Sequence, residues 1–333
     1  MAITSISMRS PCMLCRLTLL LLGIAGACQS AIAADEDKAR QLLDEMTQAA
    51  RTLNYDGVFV YQHDSHMDAM RIIHQADSAN ERERVVSLTG HAREVIRNDE
   101  SVTIIFPDDQ AVMVEKSRPY ELLSSQLPRP IAKLDDYYDF AVKGSDRVAG
   151  RDSRIVAIQP RDHYRYGYRL WLDKKTDLML RSELIGKDGK ALEQFMFTRL
   201  EVVEVIPDSQ LEPTITGTDF TWYENPDNAH DKTSQSHWQV EWLPAGFSMS
   251  NRTNERLADS PRPVHHMVFS DGVALVSVFA ERISNKRGAL IGPSRMGAVN
   301  AFARQMDDYQ VVVVGEVPLI TVRKIANAVS RQP

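Results

Sequence analysis

Nine histidines are the first residues in this chain whose chemistry invites a function. His63 and His66, with Asp64 and Asp68 close by, have the spacing of a short metal-binding loop, and His265-His266 form a second group. A catalytic zinc site needs about three converging protein ligands, each oriented by a further hydrogen bond. Neither group supplies that alone, because adjacent residues such as His265 and His266 point to opposite faces of a strand. Solvated loop histidines are the simpler reading. The carboxylate pairs Asp108-Asp109 and Asp135-Asp136 diverge in the same way and read as surface turns. No G-x-S-x-G, S-x-x-K or H-E-x-x-H motif occurs, and no glycine-rich phosphate loop. The residues point to binding rather than to an enzyme, with no cofactor and no metal. A metal-dependent hydrolase built on His63 and His66 is a remote alternative.

The three cysteines, Cys12, Cys15 and Cys28, lie in a leader-like segment. Arg9 and Arg16 make its positive start, Leu17 to Ala27 its apolar run, and Ala31-Ile32-Ala33 a small-residue cleavage site. Cleavage after Ala33 predicts an exported, soluble mature chain without thiols. A competing reading makes Ala25-Gly26-Ala27-Cys28 a lipoprotein site acylated at Cys28. The formal net charge is −6, and loss of Arg9 and Arg16 makes the mature chain more acidic. A generic nucleic-acid binder would be basic, so no nucleic acid is expected as partner.

The elements that would position a binding site follow in order. Asp35 to Leu53 predicts a helix, since Ala39, Leu42, Leu43, Met46, Ala49, Ala50 and Leu53 form one apolar stripe. From Tyr55 to Glu201 the period changes to two. Candidate strands run from Gly57–His63 to Ala191–Glu201, separated by turn signals such as Thr89-Gly90 and Lys187-Asp188-Gly189. Serial hairpins of this kind build one large antiparallel sheet that curls to bury its inner face, with the helix in its concave side. Tyr164 to Asp173 alternates most clearly: Tyr164, Tyr166, Tyr168, Leu170 and Leu172 share one face. An insertion at Arg118–Tyr138 breaks the series and predicts a short helix at Ile131–Tyr138.

The predicted domains are therefore a leader over 1–33, a β domain over 34–206, a linker over 207–236 with Pro207, Pro213 and Pro226, and a small α+β domain over 237–333. Trp222 and Tyr223 predict that the linker docks on one domain. In the last domain, Val264 to Phe269 and Val273 to Phe279 flank Ser270-Asp271-Gly272 as a hairpin. Its second strand is apolar on both faces, with Val273, Leu275 and Phe279 on one and Ala274, Val276 and Val278 on the other. Such a strand needs cover on both sides. Helices predicted at Ser294–Asp307 (Met296, Val299, Phe302, Ala303 and Met306 inward) and after Pro318 (Val322, Ile325, Ala326, Val329) can cover one. The first domain, a second subunit or another protein is left for the other.

Several segments together resemble the MucB/RseB family. They are Tyr55-Asp56-Gly57-Val58-Phe59-Val60-Tyr61, Thr89-Gly90-His91-Ala92-Arg93-Glu94-Val95, Tyr164 through Asp173, Leu180-Arg181-Ser182-Glu183-Leu184, Trp242-Leu243-Pro244-Ala245-Gly246-Phe247 and Val313-Val314-Gly315-Glu316-Val317-Pro318. They span the mature chain in order. The resemblance implies an N-terminal domain like the lipoprotein carriers LolA and LolB, an unclosed β-barrel with helices in its concave side. It also implies a periplasmic negative regulator of a sigma-E-type envelope stress response. Such a protein binds the periplasmic domain of a single-pass membrane anti-sigma factor, protects it from site-1 proteolysis, and is released by lipid or lipopolysaccharide fragments. A periplasmic lipid or lipoprotein carrier is the alternative, and a homodimer is compatible with the exposed strand.

The resemblance transfers no catalytic residues. Pattern alone selects Phe59, Tyr61, Ile104, Phe106, Tyr166, Tyr168, Leu170 and Leu172 as candidates for a lipid cavity. Trp238, Trp242, Phe247, Phe269 and Phe279 are candidates for partner binding, because large aromatics dominate interface hot spots at about 2 kcal/mol or more each.

Overall fold

The computed structural model describes residues 34–77, 80–116, 127, 131–214, 220–224, 237–256, 263–283 and 291–332. The leader with its cleavage and acylation sites, most of the insertion and much of the linker lie outside these residues.

The chain opens with helix α1 over residues 34–52. Its predicted stripe is its buried side: Ala39, Leu42, Leu43 and Met46 are fully covered. Twelve strands follow: β1 Asn54–His63, β2 His66–Ala76, β3 Glu81–Ser87, β4 Glu94–Arg97, β5 Ser101–Phe106, β6 Ala111–Lys116, β7 Tyr138–Val148, β8 Arg151–Pro160, β9 Gly167–Asp173, β10 Met179–Ile185, β11 Ala191–Val203 and β12 Thr221–Glu224. They form one sheet in the order β12-β6-β5-β4-β3-β2-β1-β11-β10-β9-β8-β7. Sequential hairpins supply most neighbours, and β1 closes onto β11 with Asn54 opposite Val203. The ends, β12 and β7, do not pair, so the barrel stays open. Trp222 and Tyr223 lie in β12, which adds parallel to β6 in an otherwise antiparallel sheet, and both side chains stay more than half exposed. The core under α1 includes Phe59, Ile72, Phe140, Leu170, Leu172, Phe195 and Phe197.

The second part holds β13 Trp238–Val240, β14 Ser248–Arg256, β15 Pro263–Ser270, β16 Leu275–Arg282, β17 Gly292–Met296, β18 Val299–Met306, β19 Tyr309–Gly315, helix α2 Leu319–Asn327 and β20 Val329–Arg331. Six strands make an antiparallel sheet ordered β14-β15-β16-β19-β18-β17, and β13 pairs with β20 beside it. The two-sided strand β16 lies between β15 and β19, so neither of its edges is open. Val276, Val278 and Ala280 are fully buried on its inner face, in a core with Val311, Val313, Val322 and Ile325. Arg304 donates to the carbonyl of Ala326 in the last turn of α2 and to that of Val329 in β20, both at 2.7 Å, tying the helix end to the strand after it.

Three predicted helices are corrected. Ser294–Asp307 is not a helix but the β17–β18 hairpin, turned at Gly297 with φ +57°. Its apolar spacing suits either structure; the β-branched run Val311–Val314 of β19 needs a second neighbour, and β18 supplies it. Met296 is consequently 70% exposed rather than inward. The short helix at Ile131–Tyr138 is a single 3-10 turn over Ile131–Leu134, and buried Tyr138 already pairs with Pro160 in β7. The last helix stops at Asn327, and Val329 pairs with Val240. Among the described residues, α2 is the helix that covers the inner face of the small sheet.

Candidate functional site

The β15–β16 hairpin points its turn at the first domain, and the seam is built around that turn. Asp271 accepts the amides of Val273 and Ala274 on Oδ1 at 2.9 and 2.8 Å, so the side chain fixes its own loop. Its other oxygen accepts the Tyr138 hydroxyl at 2.9 Å and Arg165 Nη1 at 2.6 Å. The Arg165 and Asp271 side chains are both wholly buried. Arg165 also donates to Asp162 at 2.9 Å and to the Ala245 carbonyl at 2.6 Å, and its guanidinium lies 5.3–5.4 Å from the rings of Tyr137, Tyr138 and Phe247. Burial works against this charge, but Asp271, Tyr138 and Asp162 more than offset it and hold the guanidinium above its ordinary value. Burial and the neighbouring Asp271 push the Tyr138 hydroxyl up, so it stays a donor. Val273, two residues further along the loop, enters the core of the first domain.

Further contacts extend the seam. Thr321 Oγ1 donates to the Tyr164 carbonyl at 2.7 Å, and Lys324 Nζ donates to the Tyr164 hydroxyl at 2.9 Å. The same ammonium lies 3.9 Å from the Trp242 ring centroid, and Trp242 meets Tyr164 edge-on at 5.1 Å. Asn300 donates to the Tyr166 hydroxyl at 3.1 Å. At Gly246, with φ +86°, a Cβ would stand 2.6 Å from the Tyr137 ring, so only glycine lets the chain pass.

Two spaces open along the seam. One, of about 1470 Å³, is lined by Lys143, Tyr166, Arg169, Arg295, Leu319 and Ile320 among others. The second, of about 900 Å³, takes Tyr61, Tyr168, Met179, Leu184 and Phe195 from the first domain and Val273, Leu275 and Phe279 from the second. Their polar surroundings suit a ligand that is oriented by hydrogen bonds and covered by apolar walls.

The predicted site residues distribute unevenly over this geometry. Phe59, Leu170 and Leu172 are buried in the core that α1 covers, and Tyr61 and Tyr168 pack against it at the smaller space. Tyr166 lines the larger space. Ile104 and Phe106 are half-buried on β5, with six strands between them and β9 in the sheet order. Of the partner candidates, Trp238, Phe247 and Phe269 are buried in the core of the second domain. Phe279 stacks on His266 at 4.3 Å on the opposite face of β16 and lines the smaller space, and Trp242 sits at the seam. His63 and His66 stack at 5.4 Å, and no group of three metal-ligating side chains occurs among the described residues. Arg165, Tyr138 and Asp271 were not singled out by pattern. Nothing local links residues 106 apart, and Asp271 reads only as a turn former.

Comparison with known proteins gives the following. Residues 38–215 match the MucB/RseB N-terminal domain and residues 232–330 the MucB/RseB C-terminal domain. The sigma factor AlgU regulatory protein MucB of Pseudomonas aeruginosa is 33% identical over 93% of this chain and 96% of that protein. The sigma-E factor regulatory protein RseB of Haemophilus influenzae is 28% identical over 94% of this chain and 95% of that protein. The solved Pseudomonas aeruginosa MucA/MucB complex aligns with a TM-score of 0.70 at 30% identity, covering 89% of this chain and 99% of that one. A structure of MucB in complex with MucA(peri) aligns at 0.69 and 31% identity, with the same coverage.

Proposed function

Because the chain belongs to the MucB/RseB family, we propose that it is a periplasmic regulator of a sigma-E-type factor. It binds the periplasmic region of a membrane anti-sigma factor, shields that region from site-1 proteolysis, and so keeps the sigma factor inactive. The observation that carries this reading is the match through both halves of the chain to MucB, a protein solved in complex with MucA(peri). The working parts are residues 34–206 and 237–333, joined by the segment 207–236.

The seam supports capture of an extended peptide, since both halves contribute walls to each space. Release follows from a second ligand. A lipid or lipopolysaccharide fragment seats an acyl chain in the smaller space, against Met179, Leu184, Phe195 and Val273. If that ligand favours a different separation of the two halves, it weakens peptide binding by the same factor that the peptide weakens its own. A carrier function has less support, because α1 fills the concave face where a carried lipid would lie.

The test uses the purified mature protein, the periplasmic tail of its own anti-sigma factor and the site-1 protease. At a tenfold excess over the dissociation constant, cleavage slows by roughly tenfold. An unchanged cleavage rate overturns the proposal.

A further inference from the structure

On the side of the smaller space, the seam is closed by two carboxyl groups, one from each half. Glu193 of β11 accepts the Ala298 amide at 2.7 Å and the Tyr61 hydroxyl, and is nearly buried. Glu316, just after β19, accepts the Tyr168 hydroxyl at 2.9 Å and lines the same space as Glu193. Each carboxyl is thus held by a donor from the opposite half. Two carboxylates offer only acceptors, so a hydrogen bond between them requires one proton between the pair. A hydrogen bond between these two carboxyls therefore exists in one protonation state only.

The surroundings are the hydroxyl of Tyr166, Asp64 accepting the Gly297 amide at 2.9 Å, His63 beside Gly297, and Arg295 donating to the Gly297 carbonyl at 2.8 Å. Arg51 of α1 lines the same space, and Tyr138 lies behind Tyr168. Burial and the Glu193 charge push Glu316 up to about 7, with the Tyr168 hydrogen bond working in the opposite sense.

We propose that Glu193 and Glu316 form a proton-operated latch: one shared proton holds the two halves together here, and its loss opens this side of the seam. Separated, Glu316 returns to the ordinary carboxyl range near 4.5, so the docked form holds the extra proton. Docking is therefore strongest below that range and weakens about tenfold per pH unit as pH rises towards 7. Above 7 it stays level, having lost on the order of 10²-fold in all. The Arg165–Asp271 contact joins opposite charges and stays made across this window, so the seam opens about it. A partner gripping both halves inherits the pH dependence of the latch.

The test is amide hydrogen exchange on the protein without a partner, which makes it independent of the function assigned above. The protection factor of the Ala298 amide, normalised for intrinsic exchange, reports the opening equilibrium directly. Between pH 5 and pH 8 it falls on the order of 10²-fold in the parent protein, while amides inside β19 change little. In Glu316→Gln, which keeps a donor towards Glu193 but cannot ionise, it changes by less than about threefold. Glu193→Gln, a second variant that removes the like charge and leaves burial, falls by less than about tenfold. A protection factor that is flat in the parent, or that falls as far in Glu316→Gln as in the parent, overturns the latch.

Discussion

Asp271→Asn isolates the charge that joins the two halves. Asparagine keeps the Oδ1 that accepts the Val273 and Ala274 amides, so the turn survives. What changes is the oxygen facing Arg165, which becomes an NH2 group opposed to a donor. Breaking a buried ion pair from one side costs about 3–5 kcal/mol, because the remaining charge is left in a poorly solvating site. Arg165 retains Asp162 and the Ala245 carbonyl, so the low end applies, about 3 kcal/mol. For a chain of this size the urea slope is about 3 kcal/mol per molar, which places the midpoint about 1 M lower. Tryptophan fluorescence reads both halves, through Trp171 on one side and Trp238 and Trp242 on the other. The double variant Arg165→Met/Asp271→Leu removes both charges at once and recovers a large part of the loss. A midpoint for Asp271→Asn within about 0.3 M of the parent refutes the reasoning. So does a double variant whose loss equals the sum of the two single ones.

Gly246→Ala is expected to cost about 2–3 kcal/mol, from positive φ and the Tyr137 ring together, and thermal melts read it as a loss of several degrees. Val278→Asp places an unpaired carboxylate in the core of the second domain and abolishes its folding, seen as loss of protected amides in β16 and β19. Phe279→Ala leaves that domain folded, because Phe279 lies on the other face of β16 against His266; a melt as damaged as that of Val278→Asp contradicts the placement. Trp242→Ala loses its contacts with Lys324 and Tyr164, about 1 kcal/mol of stability, and weakens binding of the anti-sigma tail in titration calorimetry. Asp173 is held below its ordinary range because Arg151 and Thr176 outweigh burial. Its contribution is present above that range and is lost as pH falls through the lowered value, so Asp173→Asn flattens the acid limb of a stability-against-pH curve.

Much of the fold was legible because its signals are local. The α1 stripe, the alternation from β1 to β11 and the turn signals between strands each follow from residues within a few positions of one another. The same locality explains the failure at Ser294–Asp307. Met296, Val299, Phe302 and Met306 fit a helical stripe, and only the demand of β19 for a second neighbour makes this segment a hairpin. The aromatic candidates show the corresponding limit for the site. Composition marks Trp238, Phe269 and Phe279 alike, yet the first two are 2% exposed while Phe279 lines an open space.

By itself the sequence determined the class of the molecule: a large antiparallel sheet that curls around a helix, a second smaller domain and no catalytic motif. It also singled out the hairpin at Asp271-Gly272 as a strand pair in need of cover. Only the tertiary structure decided what covers it. α2 takes the inner face, Val273 enters the other domain's core, and Asp271 meets an arginine 106 residues away. Glu193 and Glu316 line one space from opposite sides of the same seam. Neither pairing has a local signature, because each joins side chains from opposite halves of the chain.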